Sequence, residues 1–401
     1  MSTLDLVKQR KPRHGLQREF YLDDAVYQDD LEHIWYRNWV FAGHTLEMPK
    51  SGSYITLAIG DYPIVVVNDN ETFRAFHNSC RHRGSMLCQE RSGRAAKLVC
   101  PYHRWTYDYA GQLVFAQDMG EDFIASDFQL KAVHIEVVET MIFVCVAAEA
   151  PDFEPFRKAF APYLAPHQLS NAKVAHQTET VEQGNWKLVL ENNRECYHCQ
   201  SCHPELVRSF DKELSKAGLL PLAEQPEFVQ EFVKQTEQAG IPCQTHWDAD
   251  GQFRMTRMTL MNGNVSHTMD GLPAVSKRLD QTGIENLGNL FHFHYPSMWT
   301  HFLGDHALTF RVLPKATGET VVTTTWLVHK DAQEGVDYDL DNLTRVWNAT
   351  NVQDREIVEN TVRGLRSPAF EPGPYSSILE NGTCQFVDWY CEQMEKGLSA
   401  Q

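Results

Sequence analysis

The sequence predicts an α+β protein built from two domains, each with an antiparallel sheet. Short runs of β-branched and aromatic residues, separated by turn residues, fill positions 51–148, which is typical of a small antiparallel β domain. Strand-like runs between residues 254 and 330 are accompanied by segments with the 3.6-residue period of helices. We therefore expect an N-terminal helical segment over residues 1–44 that packs on the larger domain, a β domain over 45–152, and the larger domain, an antiparallel sheet covered by helices, over 153–401.

Three segments carry the helical period. The first runs from Glu182 to Tyr197, and the second, from Asp341 to Leu365, has a mostly apolar stripe on which Asp354 is the one carboxylate. A carboxylate on a buried stripe is costly unless it is paired or bound to metal. Asp354 is therefore either a ligand or an aspartate at a helix kink or beside an arginine. The third helix begins at Pro226 and either covers a functional site or is a plain surface helix.

Composition argues against several classes of protein. The formal net charge of −17 disfavours nucleic-acid binding, because a polyanion would be repelled. No apolar run approaches the length of a membrane span and the first residues contain no apolar signal region, so we expect a cytoplasmic protein. In that reducing compartment the ten cysteines are expected to be free thiols or metal ligands rather than disulfides.

Two cysteine–histidine pairs lie within the predicted β domain, Cys80 with His82 and Cys100 with His103. Two loops of this kind would bring two thiolates and two imidazoles to one point, a set that zinc also accepts. Each half contributes one cysteine and one histidine, which lets one iron of a [2Fe-2S] cluster take both cysteines and the other both histidines, as a Rieske centre requires. The spacing and the β-rich setting favour the Rieske cluster over zinc.

The stretch ENNRECYHCQSCHPE, residues 191–205, allows three incompatible metal sites: c-type haem attachment, zinc on thiolates, or iron on two histidines and a carboxylate. The missing export signal disfavours haem. His203 precedes Pro204, and a residue before proline is pushed out of the helical region, so His203 is expected to turn back towards His198. The three candidate sets are Cys199 with Cys202 and His203, Cys196 with Cys199 and Cys202, and Glu195 with His198 and His203.

Together these motifs resemble the oxygenase components of the Rieske non-haem iron oxygenases. CRHRG followed by CPYHRWTY is similar to the family's cluster-binding pattern, and NWKLVLENNRECYHC resembles a stretch of the members that demethylate quaternary ammonium betaines such as glycine betaine and proline betaine. The resemblance covers nearly the whole chain. It implies a [2Fe-2S] cluster on Cys80, His82, Cys100 and His103, and a helix-grip-like catalytic domain that uses O₂ at a mononuclear Fe(II).

The resemblance also assigns the residues around that iron. It places the third ligand far downstream, in agreement with the helical stripe, so we assign His198, His203 and Asp354 as the facial triad. A carboxylate three residues before the first histidine, here Glu195, is implied to bridge the two centres in a ring of three subunits. Electrons would pass from His103 of one subunit through Glu195 of its neighbour. The cysteines of this stretch are then expected not to bind metal.

The resemblance further implies a separate flavin- or ferredoxin-type reductase, since the chain has no dinucleotide fingerprint and no plant-type ferredoxin cysteine set. A trimethylammonium head is recognised through aromatic faces, and segment 291–310 offers Tyr295, Trp299 and Phe302 as cage candidates. Two alternatives stay open. One is the alpha subunit of an aromatic-ring-hydroxylating dioxygenase; the other is a Rieske electron carrier or zinc module without mononuclear iron.

Overall fold

The chain divides into two compact units, one of which combines two segments that are separate in the sequence. Trp35–Phe153 forms one unit, and Met1–Ile34 joins Glu154–Gln401 in the other. The predicted boundary after residue 44 lies inside the Trp35–Phe153 unit, because Val40–His44 is a fully buried strand that pairs with the last strand of that unit. The residues described in this computed structural model are 1–210, 220–261 and 263–399.

Trp35–Phe153 contains two antiparallel sheets. Its strands are β1 (Val40–His44), β2 (Ser53–Ile59), β3 (Tyr62–Asp69), β4 (Thr72–His77), β5 (Ser92–Arg94), β6 (Leu98–Val99), β7 (Thr106–Tyr107), β8 (Leu113–Phe115), β9 (Ala132–Val138) and β10 (Met141–Cys145). The larger sheet has the order β1-β10-β9-β4-β3-β2-β5, and the smaller has the order β6-β7-β8. The loop after β4 and the turn between β6 and β7 carry the two cysteine–histidine motifs.

The other unit consists of helices around a second antiparallel sheet. The helices are α1 (Thr3–Gln9), α2 (Glu19–Leu22), α3 (Asp24–Asp30), α4 (Glu154–Leu164), α5 (Trp186–Asn193), α6 (Cys199–Cys202), α7 (Glu227–Gln238), α8 (Leu340–Leu365) and α9 (Asn381–Ser399). The strands are β11 (Ala172–Glu182), β12 (His246–Trp247), β13 (Phe253–Met258), β14 (Asn289–His294), β15 (Met298–Phe302), β16 (Ala307–Ala316) and β17 (Glu319–His329). Their order is β11-β17-β16-β15-β14-β13-β12. The predicted α+β class is confirmed.

A buried ion pair ties α3 to α5 and α9. The carboxylate of Asp30 pairs with Lys187, and both side chains are fully buried. It also accepts hydrogen bonds from Trp186 Nε1 at 3.0 Å and from the Tyr390 hydroxyl at 2.7 Å. These partners satisfy the carboxylate, and loss of the lysine would leave an uncompensated buried charge.

Helix α5 is shorter than the predicted segment Glu182–Tyr197. Strand β11 runs as far as Glu182, and α5 begins only at Trp186 because Asn185 caps it, its side chain accepting from Lys187 N at 3.1 Å. The helix ends at Asn193. Residues 195–198 therefore lie between α5 and α6 and not on a helix face.

The two other predicted helices agree closely with the structure. Helix α7 begins directly after Pro226, whose fixed φ suits a helix start. Helix α8 covers the predicted stripe in one continuous element of 26 residues. Within the described ranges, no helix combines the length and the apolar character needed to cross a membrane.

Candidate metal centres and substrate cavity

In the two cysteine–histidine motifs the thiols are buried and the imidazoles are exposed to solvent. Cys80 and Cys100 are 3% and 2% exposed, and they pack in an apolar cluster with Trp105. His82 and His103 are exposed, with ring centroids 4.7 Å apart. A Rieske cluster needs this arrangement, because both thiolates hold the inner iron and both imidazoles hold the outer iron.

Local hydrogen bonds shape the two loops. The hydroxyl of Tyr107 lies 3.6 Å from Cys80 Sγ and accepts from the backbone N–H of Arg81 at 3.1 Å. Burial raises the pKa of the Cys80 thiol, so a thiolate here requires compensation by a bound metal. Gly84 closes the first loop at φ +78°, where a side chain would be strained. The four side chains fit a [2Fe-2S] cluster of the Rieske type, and their assignment as its ligands stays a prediction.

The second constellation gathers three side chains from distant parts of the chain. Nε2 of His198 and Nε2 of His203 are 2.9 Å apart, and Oδ1 of Asp354 lies 3.4 Å from the first and 3.0 Å from the second. Ligand atoms about 2.1 Å from a shared metal and at right angles to one another lie about 3 Å apart. The triangle therefore has the size of one face of an octahedral metal site. The facial triad remains a prediction that this geometry supports.

The break before Pro204 brings the two histidines together. Helix α6 ends at Cys202, and His203 leaves the helical region with φ −120° and ψ 69°. In a continuous helix, two residues five apart would point about 140° away from each other. The bend instead turns both Nε2 atoms to one point.

The cysteines of the same stretch differ from expectation in one respect. Cys196 and Cys199 form a disulfide in the structure, so the expectation of free thiols is wrong for this pair. Cys199 Sγ lies near the two histidine nitrogens, but a disulfide sulfur is not a thiolate ligand. Cys202 is a free thiol.

Hydrogen bonds behind the histidines orient their rings. His198 Nδ1 is 2.6 Å from Glu195 Oε1, and His203 Nδ1 is 2.8 Å from Gln353 Oε1. With both Nδ1–H groups donating, both Nε2 atoms are free to bind metal. Gln353 in turn donates to Glu205 at 2.9 Å. Sequence reasoning missed Gln353, for which adjacency to Asp354 was the only signal.

The electrostatics of this centre favour a cation. Burial alone would lower the pKa of His198, but the carboxylates of Asp354 and Glu195 outweigh it and raise that pKa to about 10. Burial opposes ionisation of Asp354, yet its hydrogen bonds to His198 and His203 hold its pKa below the usual value. The two carboxylates thus stabilise positive charge between the imidazoles, as a ferrous ion would supply.

A cavity of about 300 Å³ opens beside the three side chains. Its floor is one face of the sheet, where Thr256, Phe291 and His301 stand opposite one another on β13, β14 and β15. Trp347, on the same face of α8 as Asp354, covers this row with its ring centroid 4.3 Å from that of His301. The volume lies at the lower end of the range for ligand pockets, which suits a small substrate.

The three predicted cage residues do not line this cavity. Phe302 follows His301 on β15 and so points to the opposite face of the sheet, where it packs near His167. Trp299 lies on the same face of β15 as His301, but it stacks on Phe310 with ring centroids 4.9 Å apart and does not line the cavity. Tyr295 lies beyond the end of β14 in the apolar core. The aromatic side chains that line the cavity instead include Phe210, Trp247, Phe291, His301 and Trp347.

Comparisons with known proteins identify both domains. Residues 38–136 match the Rieske [2Fe-2S] domain and residues 169–396 match the ring hydroxylating alpha subunit (catalytic domain). The chain is 45% identical to the glycine betaine monooxygenase oxygenase subunit of Chromohalobacter salexigens, covering 100% of this chain and 90% of that protein. The same subunit of Pseudomonas aeruginosa is 41% identical, with 100% and 94% covered.

Solved structures share the fold. A quaternary ammonium Rieske monooxygenase, whose structure addresses carnitine oxidation and inter-subunit electron transfer, superposes with a TM-score of 0.73 at 20% identity, covering 97% of this chain and 98% of that one. Both domains and the full length of the chain are therefore accounted for by one architecture. The chain belongs to the Rieske non-haem iron oxygenases, as an oxygenase component with a Rieske [2Fe-2S] domain and a mononuclear iron catalytic domain.

Proposed function

We propose that this protein is a monooxygenase that removes an N-methyl group from glycine betaine. One oxygen atom of O₂ enters a C–H bond of the methyl group, and the other leaves as water with two electrons and two protons. The resulting carbinolamine breaks its C–N bond and releases formaldehyde and a dimethylated amine. The mononuclear iron, when bound, supplies the activation of O₂.

The observation that carries this proposal is the similarity over both domains to glycine betaine monooxygenase oxygenase subunits, at 45% and 41% identity. It favours glycine betaine over proline betaine, a choice that sequence patterns alone left open. The alpha subunit of biphenyl 2,3-dioxygenase, by contrast, aligns with only 47% of the chain, at 32% identity.

The cavity supports the same substrate. Phe291, His301 and Trp347 present aromatic faces to its interior, and a cation over such a face is stabilised by about 0.5–2 kcal/mol. A quaternary ammonium has no N–H to donate, so aromatic faces and exclusion of water are what can recognise it. The carboxylates of Asp354 and Glu195 line the same cavity and add negative potential.

Electrons would come from a separate reductase that draws on NAD(P)H in the cytoplasm. In the proposed homotrimer, an electron leaves the cluster at His103 of one subunit and crosses to Glu195 of its neighbour. Glu195 is hydrogen-bonded to His198, so it would connect the cluster to the mononuclear centre. The inter-subunit transfer addressed in a solved quaternary ammonium monooxygenase supports this route.

A single-turnover assay tests the proposed reaction. The protein is reduced chemically, exposed to O₂, and scored for formaldehyde with glycine betaine, proline betaine, carnitine, choline and simple aromatic compounds. We expect formaldehyde in proportion to protein with glycine betaine. Asp354→Ala is the matched control, because it should keep the Rieske absorption and lose formaldehyde. An oxidised aromatic product without formaldehyde would instead establish a ring-hydroxylating enzyme.

A further inference from the structure

Two arginines at the cavity lack the acceptors that buried arginines normally have. Arg194 follows α5 and is 5% exposed, and Arg254 lies on β13, on the same face as Thr256. Both line the cavity. Among the described residues neither forms an ion pair with a carboxylate, and Nε of each is buried without a hydrogen-bond partner. Arg194 makes one side-chain hydrogen bond, from Nη1 to Asn193 Oδ1 at 3.4 Å, and its Nη2 is also unpartnered.

Arg257, on the opposite face of the same strand, shows how the fold treats a structural arginine. It donates to the backbone carbonyls of Pro242, Leu287 and Tyr163 at 3.0–3.3 Å. The donors of Arg257 are thus used within the protein. The open donors of Arg254, three residues earlier, are therefore a property of the cavity and not of the strand.

Aromatic rings hold the two arginines without satisfying them. Arg194 Cζ is 3.6 Å from the centroid of Phe293, and Arg254 Cζ is 4.7 Å from that of Trp247. A ring face attracts a cation but does not accept the planar fork of guanidinium N–H groups. Burial and the nearby charge of Arg194 lower the pKa of Arg254 to about 9, as expected for a guanidinium without a carboxylate beside it.

We propose that Arg254, supported by Arg194, forms a carboxylate-binding subsite for the anionic end of the substrate. The inference rests on the proposed function, because it assigns the second end of a betaine whose ammonium end faces the aromatic floor. Arg254 stands opposite Phe293, one row of the sheet away from Thr256, Phe291 and His301. Two residues along a strand span about 7 Å, a distance that a small zwitterion bridges with one end on each row.

The same arrangement argues against an uncharged substrate. An apolar aromatic ring in this cavity would displace water from two cations and leave their N–H groups without acceptors. A carboxylate accepts two parallel N–H bonds from one guanidinium, so it satisfies Arg254 directly. Glycine betaine should therefore bind far better than choline, which has the same trimethylammonium head and a hydroxyl in place of the carboxylate.

Binding to the oxidised holoenzyme tests the subsite independently of turnover. Isothermal titration calorimetry with glycine betaine and with choline would compare the protein with Arg254→Gln. Loss of a charge-assisted fork should raise the Kd of glycine betaine about 10- to 150-fold. The Kd of choline should change by less than about threefold. Arg345→Gln, at an exposed position on α8, is the matched control and should change neither value.

Two further measurements separate a subsite from a structural role. Removing an uncompensated buried cation should leave the melting temperature unchanged or raise it, with Rieske absorption and iron content retained. Arg254→Lys keeps the charge but loses the planar fork of N–H donors. Its Kd for glycine betaine should lie between those of the unaltered protein and of Arg254→Gln. Equal weakening of glycine betaine and choline in Arg254→Gln would overturn the subsite, because the residue would then only shape the cavity.

The outcomes also distinguish this inference from the proposed function. Formaldehyde release from glycine betaine by the unaltered protein, together with unchanged betaine binding in Arg254→Gln, would refute the subsite and leave the reaction intact. If no betaine yields formaldehyde, but benzoate binds the protein and loses its affinity in Arg254→Gln, the subsite would stand and the demethylase would be refuted.

Discussion

Replacing Gln353 by leucine should weaken the binding of iron by His203. The amide of Gln353 accepts from His203 Nδ1 at 2.8 Å and donates to Glu205 at 2.9 Å, so it fixes both the orientation and the tautomer of the ring. Leucine has a similar size but neither a donor nor an acceptor. His203 would then lose the hydrogen bond that directs its Nε2 lone pair at the metal.

The expected magnitude follows from this single hydrogen bond. Removing a partner of a metal-bound histidine typically lowers metal affinity about 10- to 100-fold. That range corresponds to about 1.4–2.7 kcal/mol of binding free energy. His198 keeps its own hydrogen bond to Glu195, so iron binding should be weakened but not abolished.

The assay is competition for ferrous iron between the protein and a coloured chelator. The Rieske absorption of the same sample is the internal control, because the two centres lie in different domains and the cluster should be unaffected. Gln353→Glu keeps the acceptor for His203 but loses the donor to Glu205, so it should retain more iron than Gln353→Leu. Wild-type affinity in Gln353→Leu would refute the reasoning, and so would equal loss of iron and cluster.

Three other changes probe separate parts of the molecule. Glu195→Gln should keep both metal centres but lose coupled turnover, measured as formaldehyde formed per reductant oxidised; near-normal coupling would exclude a bridging role. Cys199→Ser, which also opens the disulfide, should retain iron and activity, and a loss of stoichiometric iron would revive the thiolate alternatives. Lys187→Met should destabilise its unit by about 3–5 kcal/mol because Asp30 stays buried and charged. Thermal unfolding should show this loss and its partial recovery when Asp30→Asn is added; an unchanged melting temperature would contradict the buried-charge argument.

Short-range patterns in the sequence predicted most of the metal chemistry. A cysteine and a histidine two or three residues apart restrict the ligand set of a loop, and the proline after His203 predicts the bend that turns this histidine towards His198. The helical stripe also pointed to Asp354, which lies about 150 residues after His203 in the sequence, because a carboxylate among buried residues needs a partner. Each of these inferences depends on neighbours along the chain or on a helical period, which the sequence expresses directly.

The substrate end of the site depended on tertiary structure. Tyr295, Trp299 and Phe302 were reasonable cage residues in composition, but none of them lines the cavity. Phe302 points to the opposite face of β15 from His301, Trp299 stacks on Phe310, and Tyr295 lies beyond the end of β14. The fold also brings Arg254 on β13 and Arg194 after α5, sixty residues apart, to one cavity, and neither has a carboxylate partner among the described residues.

The sequence by itself determined the α+β class, the two metal-binding motifs and the carboxylate on α8. Only the tertiary structure decided where α5 ends, that Gln353 supports His203, and which aromatic and cationic side chains line the cavity. The physical reason is that side chains alternate between the two faces of a strand, so a shift of one residue in register exchanges core for cavity. No local sequence pattern predicts which face of the sheet the helices leave uncovered.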